Sequence, residues 1–142
     1  MFSTKVRYAL KAAVTLSRLQ AYPGGERAVT VREVENEGEL RFAFLAKVVA
    51  ELASARVLKT RKGPGGGILL SKAPADLSMA EVVYAVDKVD DLTRCLLDDR
   101  PCREFESCQV HGCFSKIRIN LLEETSIAEL DSSNTLCKVA FA

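Results

Sequence analysis

Apolar residues in the first part of the chain recur at three- and four-residue intervals. Val6, Ala9, Leu10, Ala13 and Val14 form one such stripe and predict a helix over residues 4–21. Pro23-Gly24-Gly25 stops it. Thr30-Val31-Arg32-Glu33 has the S/T-x-x-E form of a capping box, in which the hydroxyl and the carboxylate each accept a backbone N–H that the helix leaves free, so a short second helix opens there. Gly38 is expected to break it. Leu45, Val48, Val49 and Leu52 make the apolar stripe of a third helix over about residues 41–55, with Arg41, Lys47 and Glu51 off the stripe. Two helices joined by a tight turn containing glycine predict a helix-turn-helix.

The pattern then changes. VLKTRKGPGGGILLSK, residues 57–72, places two short apolar or β-branched pieces around Gly63-Pro64-Gly65-Gly66-Gly67 and predicts a hairpin. A phosphate-cradling P-loop would need G-x-x-x-x-G-K-[ST] followed by a helix, whereas the strand-like Ile68-Leu69-Leu70 follows here. A basic hairpin behind a helix-turn-helix is a wing, with Lys59, Arg61 and Lys62 placed to reach DNA backbone or minor groove. Ser78-Met79-Ala80-Glu81 is a second capping box, with Met79, Val82, Val83 and Val86 on the apolar face of the helix it opens. After a segment rich in cysteine, expected as a loop, Phe114, Ile117, Leu121 and Leu122 make an amphipathic helix, and Ser126-Ile127-Ala128-Glu129 starts a last turn. That late helix has no obvious partner in so small a head, so a homodimer seam around residues 114–122 is expected, the alternative being packing back on the head. The fold class is mainly α with a small β-hairpin: a winged helix-turn-helix head over residues 1–75, then a cluster-binding loop and a long dimerisation helix over residues 76–142.

Composition adds a class of partner through charge. The 142 residues are 48% hydrophobic and 27% charged, an ordinary globular balance, and no apolar run approaches the roughly 20 residues of a membrane span. Lys5, Arg7, Lys11 and Arg18 interrupt the N-terminal segment, which therefore lacks the apolar core of a signal peptide. A cytoplasmic location with reduced thiols is expected, which disfavours a disulfide knot. The net charge of +1 divides unevenly: residues 1–72 carry a balance of +7 and residues 73–142 one of −6. A basic first half suits a polyanion such as double-stranded DNA.

RCLLDDRPCREFESCQVHGC, residues 94–113, holds four of the five cysteines and the one histidine. The spacing is Cys95-x6-Cys102-x5-Cys108-x2-His111, with Cys113 two residues further on. Zinc knuckles carry C-x2–4-C pairs that present two thiolates to one tetrahedral ion, and this segment has none. Longer spacers can wrap a larger group, and iron–sulfur clusters take thiolates with histidine sometimes substituting. The spacing therefore favours an iron–sulfur cluster over zinc, with free or redox-active thiols as the third reading. Cys113 could replace His111, and Cys137 stands isolated in the tail.

STKVRYALKA at the start, KGPGGGILLSK in the hairpin and LSMAEVVYAVDKVDDLTRC leading into the first cysteine together resemble the Rrf2 family of winged-helix regulators, and within it the IscR-type iron–sulfur cluster regulators. The resemblance runs from about residue 3 to 131. It implies a homodimeric transcription regulator, a repressor or dual regulator, with a long helix crossing to the partner. It also implies one [2Fe–2S] cluster on Cys95, Cys102, Cys108 and His111, delivered by iron–sulfur assembly machinery, with one extra residue in the first spacer. Other relatives hold [4Fe–4S] clusters, some with an acidic ligand in the first helix; Tyr8 stands at that position and favours the IscR-like scheme. The recognition-helix positions that read bases in the family correspond to Ala43, Ala46 and Lys47, all changed, so the operator does not transfer. Lys62 replaces the usual wing arginine and loses its planar fork, Phe114 replaces a tryptophan, and Cys113 is an addition. The candidate DNA-contacting set is Thr30, Arg41, Ala43, Ala46, Lys47, Lys59, Arg61, Lys62 and Gly65.

Three functions compete. The first is a regulator whose operator binding follows a cluster that senses iron, redox or nitric oxide status. The second, in the same family, is a metal-free regulator sensing thiol chemistry or a metabolite. The third is an iron–sulfur or thiol enzyme, against which stands the lack of a histidine left for general-base work.

Overall fold

The computed structural model describes residues 3–20, 27–87 and 108–131, apart from the side chains of His111 and Phe114. The elements in order are α1 (Thr4–Gln20), α2 (Val31–Gly38), α3 (Phe42–Ser54), β1 (Leu58–Arg61), β2 (Gly67–Leu70), α4 (Met79–Val86) and α5 (Gln109–Glu124). A last helical turn covers residues 127–131. The expected architecture of helices with one hairpin is the observed one.

Local chemistry sets the boundaries. Both expected capping boxes are made: Thr30 Oγ1 accepts the Glu33 N–H and Glu33 accepts the Thr30 N–H at 2.7 Å, and Ser78 and Glu81 repeat the exchange. Ser126 and Glu129 form a third box on the last turn. α2 ends at Gly38 as expected, although the left-handed backbone that ends it belongs to Glu39, at φ 50°. Position 38 is tight for a side chain. A Cβ there would lie 3.1 Å from the Leu40 side chain and 3.2 Å from Thr15 Oγ1 of α1.

α1 is the central helix. Val6, Ala9, Ala12, Ala13 and Leu16 are buried, and the small side chains among them let α1 pack on α2, α3, α4 and β2 together. The α3 stripe of Leu45, Val48, Val49 and Leu52 closes the core from the other side, each full burial contributing about 1.5–3 kcal/mol. The antiparallel hairpin pairs Leu58 with Leu70 and Arg61 with Gly67. Val29, just ahead of α2, adds a bridge to Ile68 through two backbone hydrogen bonds of 2.9 and 2.7 Å, tying the wing to the start of the helix-turn-helix. That bridge explains Gly67, where a Cβ would sit 2.4 Å from the Val29 carbonyl oxygen.

Two expectations for the C-terminal half are corrected. His111 and Cys113 lie within α5 and not in a loop: the Cys108 carbonyl accepts the Gly112 N–H at 2.7 Å, and the helix runs on from Gln109. The late helix also does not lack a partner in the head. It packs on α4, with Gly112, Ser115 and Leu122 buried and Leu122 part of the core. Its end is pinned by Met79 N–H to Thr125 O (2.8 Å) and Ile127 N–H to Leu77 O (2.8 Å), and Arg18 of α1 pairs with Asp131 at 2.5 Å. The expected apolar stripe is therefore divided. Leu122 faces the protein's own core, while Ile117 (68%) and Leu121 (56%), joined by Val110 (68%), are exposed.

Candidate DNA interface and cysteine segment

The exposed residues of α3 fall on one line: Ala43, Lys47, Ala50 and Ser54 recur at helical spacing, with Ala46 half-buried beside them and Arg41 exposed at the N-cap position. Arg41 supplies no cap of its own. Two side chains from other helices hold this end of α3. The Tyr8 hydroxyl of α1 accepts the Arg41 N–H at 3.4 Å, and the Tyr8 ring meets Phe44 edge-on, centroids 4.7 Å apart. Glu35 of α2 accepts the Phe42 N–H at 3.2 Å while its other oxygen accepts from Arg32 at 2.9 Å. The Glu35 carbonyl further accepts the N–H groups of Glu39 and Leu40, so one residue fastens the end of α2 to the start of α3.

In the wing, Lys59, Arg61 and Lys62 are all exposed. Pro64 and Gly65 occupy the centre of a tight turn closed by Gly66 N–H to Gly63 O at 2.9 Å. Proline followed by a residue with φ near +80° is the type II pattern, and Gly65 meets it at φ 71°. Gly65 thus sets the shape of the hairpin tip. Thr30 is exposed at the N-cap of α2, one residue from the Val29–Ile68 bridge to the wing. The structure so groups the nine candidate contacts as an α3 set (Arg41, Ala43, Ala46, Lys47), a wing set (Lys59, Arg61, Lys62, Gly65) and Thr30 at the joint. The supports Tyr8, Glu35, Phe42 and Val29 were missed by sequence reasoning. An Arg32–Glu35 pair is visible as opposite charges three apart, but a carboxylate capping a helix seven residues on leaves no local signal.

Glu33 lies at the same joint, and its pKa is lowered from the ordinary 4.5, first by the Thr30 N–H and then by Arg27, whose guanidinium sits 2.7 Å away. The carboxylate stays ionised where the α2 dipole favours negative charge.

Cys95 and Cys102 lie outside the described residues, as does Cys137. Cys108 is half-buried and stands immediately before α5. Position 111 follows within the first turn, about 60° around the axis from 108, whereas the exposed free thiol Cys113 is displaced by about 140°. Among the described residues no three His, Cys, Asp or Glu side chains converge as a metal site. No helix among them is long and apolar enough to cross a membrane.

The chain is similar to known regulators along most of its length. A protein of Azotobacter vinelandii classed among HTH-type transcriptional regulators is 35% identical over 109 residues, 77% of this chain and 63% of that one, so the match spans less than two thirds of that relative. The HTH-type transcriptional regulator IscR of Photorhabdus laumondii is 26% identical over 141 residues, 97% of this chain and 83% of that protein. The solved structure of CymR, the global cysteine regulator of B. subtilis, superposes with a TM-score of 0.76 at 20% identity, covering 93% of this chain and 96% of that one, which shows a shared winged-helix fold. The sequence model of the Rrf2 family, described as iron-dependent transcriptional regulator, matches residues 2–132. With a helix-turn-helix, a basic wing and that match, the chain belongs to the Rrf2 family of DNA-binding transcription regulators and is not an enzyme.

Proposed function

We propose that the chain is a homodimeric regulator of the IscR type, whose operator binding follows an iron–sulfur cluster held by Cys95, Cys102, Cys108 and His111. The observation that carries this reading is the construction of α5. It begins directly after Cys108, one side of it exposes Val110, Ile117 and Leu121, and its C-terminal end is pinned to α4 and the preceding loop. One rigid element therefore joins a ligand-bearing turn, an apolar face suited to a second copy and the DNA-binding head.

The donor set fits the group. Cys108 stands directly before α5 and position 111 follows one turn later, and three thiolates with one imidazole, Cys95 and Cys102 being the other two thiolates, are a donor set that a [2Fe–2S] cluster accepts. When bound, the cluster supplies a visible chromophore and a centre sensitive to oxidation and nitric oxide. A change in the ligand turn tilts α5, alters the spacing of the two heads, and so changes the fit to two half-sites. In this division of labour residues 1–75 read DNA and residues 76–142 sense and pair. Tyr8 is committed to Arg41 and Phe44, which supports the four-ligand [2Fe–2S] scheme over a [4Fe–4S] cluster that recruits the first helix.

One observation favours the metal-free rival: Cys113 is exposed, free, and on a different side of α5 from Cys108, as a thiol sensor would be. Anaerobic purification followed by visible absorption with iron and sulfide analysis separates the two. Visible bands with stoichiometric iron and sulfide are expected; a colourless protein that still binds its operator overturns the cluster reading.

A further inference from the structure

We propose that Arg32, preset by Glu35 and the Phe42 ring, is a DNA-phosphate contact at the edge of the recognition helix, a role that rests on the family's DNA binding. Arg32 is the second residue of α2, and its guanidinium carbon lies 3.9 Å from the centre of the Phe42 ring, the first residue of α3. The cation is thereby placed beside the N-terminal ends of two helices, where the dipoles favour negative charge and disfavour a bare cation. Glu35 relieves part of that conflict by accepting from Nη1 at 2.9 Å. The side chain is nevertheless 68% exposed. One face lies on the ring and one donor is spent on Glu35, which leaves the rest of the planar fork open to solvent. A stacked, partly paired guanidinium with a free edge loses little freedom on binding a second oxyanion, and a phosphodiester is the anion that this geometry suits.

Position completes the argument. Phe42 flanks the exposed line of Ala43, Lys47, Ala50 and Ser54, and half-buried Ala46 lies on that same flank one turn later. Small residues at 43 and 46 leave the recognition face with few long side chains of its own. A duplex seated on that face brings a backbone strand along the flank where Arg32 stands. Glu35 then acts as a positioning residue, since it holds Arg32 and the first N–H of α3 together.

The test uses the full-length protein, an operator selected from a random duplex library by the wild type, and a random-sequence duplex. Arg32→Ala should weaken both complexes by the same factor, about tenfold, and reduce the slope of log K against log salt by roughly 0.9, one phosphate. Arg32→Lys should restore the slope but only part of the affinity, because an ammonium neither stacks nor forks. Glu35→Gln should weaken binding when Arg32 is present and have little effect on an Arg32→Ala background. An unchanged slope in Arg32→Ala, beside a reduced slope in Lys62→Ala, overturns the proposal while leaving DNA binding intact. A wild type that selects no operator removes the DNA-binding reading itself. An equal loss from Glu35→Gln on both backgrounds overturns the preset role and leaves Glu35 as a helix cap alone.

Discussion

At the scale of single residues, what distinguishes the candidate ligands is angle, not spacing. In the sequence, His111 and Cys113 look interchangeable as the fourth donor after Cys108. Helical backbone from Gln109 onward separates positions 111 and 113 by about 160° around the axis, so a group reached from one is not reached from the other without unwinding α5. We therefore predict that His111→Ala loses or bleaches the visible bands while Cys113→Ala retains them; the reverse pattern would assign the ligand to Cys113. The same reasoning divides the lysines. Lys47 stands on the exposed line of α3 and Lys62 beside the wing tip. Lys47→Ala should change base preference in a selection experiment, and Lys62→Ala should weaken binding to all sequences with a salt slope lower by roughly 1. If both variants select the wild-type operator with wild-type affinity, the docking face is elsewhere.

The helical elements were legible wherever a side chain caps its own helix, because Thr30, Ser78 and Ser126 each stand three residues before a glutamate and the exchange is local. They were not legible where support comes from a distance. The segment Cys-Gln-Val-His-Gly-Cys shows no apolar period and contains a glycine, so its helicity is hidden in sequence; it belongs to a helix that docks on α4, and tertiary context of that kind overrides propensity. Glu35 and the Val29–Ile68 bridge are hidden for the same reason. The three boxes also predict an acid response. Glu33 is held below 4.5 by the Thr30 N–H and Arg27, Glu81 chiefly by Lys72 with the Ser78 N–H assisting, and Glu129 by the Ser126 N–H and hydroxyl. A carboxylate whose folded pKa lies below its unfolded value stabilises the fold above that unfolded value and loses the contribution as pH falls through the folded one. Thermal unfolding should thus be flat near neutrality and decline below 4.5. Glutamine keeps the box but not the charge. Glu33→Gln, Glu81→Gln and Glu129→Gln combined should therefore lower the neutral melting temperature and flatten the acid decline; an unaltered decline would mean that other carboxylates set it.

For the whole molecule, the decisive comparison is between the neighbours Leu121 and Leu122. Leu122 is fully buried against the protein's own core, so Leu122→Ala should destabilise the fold by about 2–5 kcal/mol. Leu121 is 56% exposed and lies with Val110 and Ile117 along the other side of α5, a stripe that α4 does not cover. Sequence periodicity grouped 121 with 122, since a helical stripe can be wide enough to hold both, and only the docking of α5 on α4 divides them. Leu121→Asp should for that reason leave the head folded, with far-ultraviolet dichroism unchanged, because an aspartate at an exposed position meets water. If α5 pairs with its copy, the same substitution buries an unpaired charge in the seam and should cost about 3–5 kcal/mol of association. Sedimentation is expected to show a dimer for the wild type and a monomer for Leu121→Asp. The monomer should retain weak, salt-sensitive binding to random duplex and lose preference for a two-half-site operator, because register between half-sites is a property of the pair. A Leu121→Asp protein that remains a dimer would move the seam away from this stripe, and with it the route by which the cysteine turn reaches the DNA-binding heads.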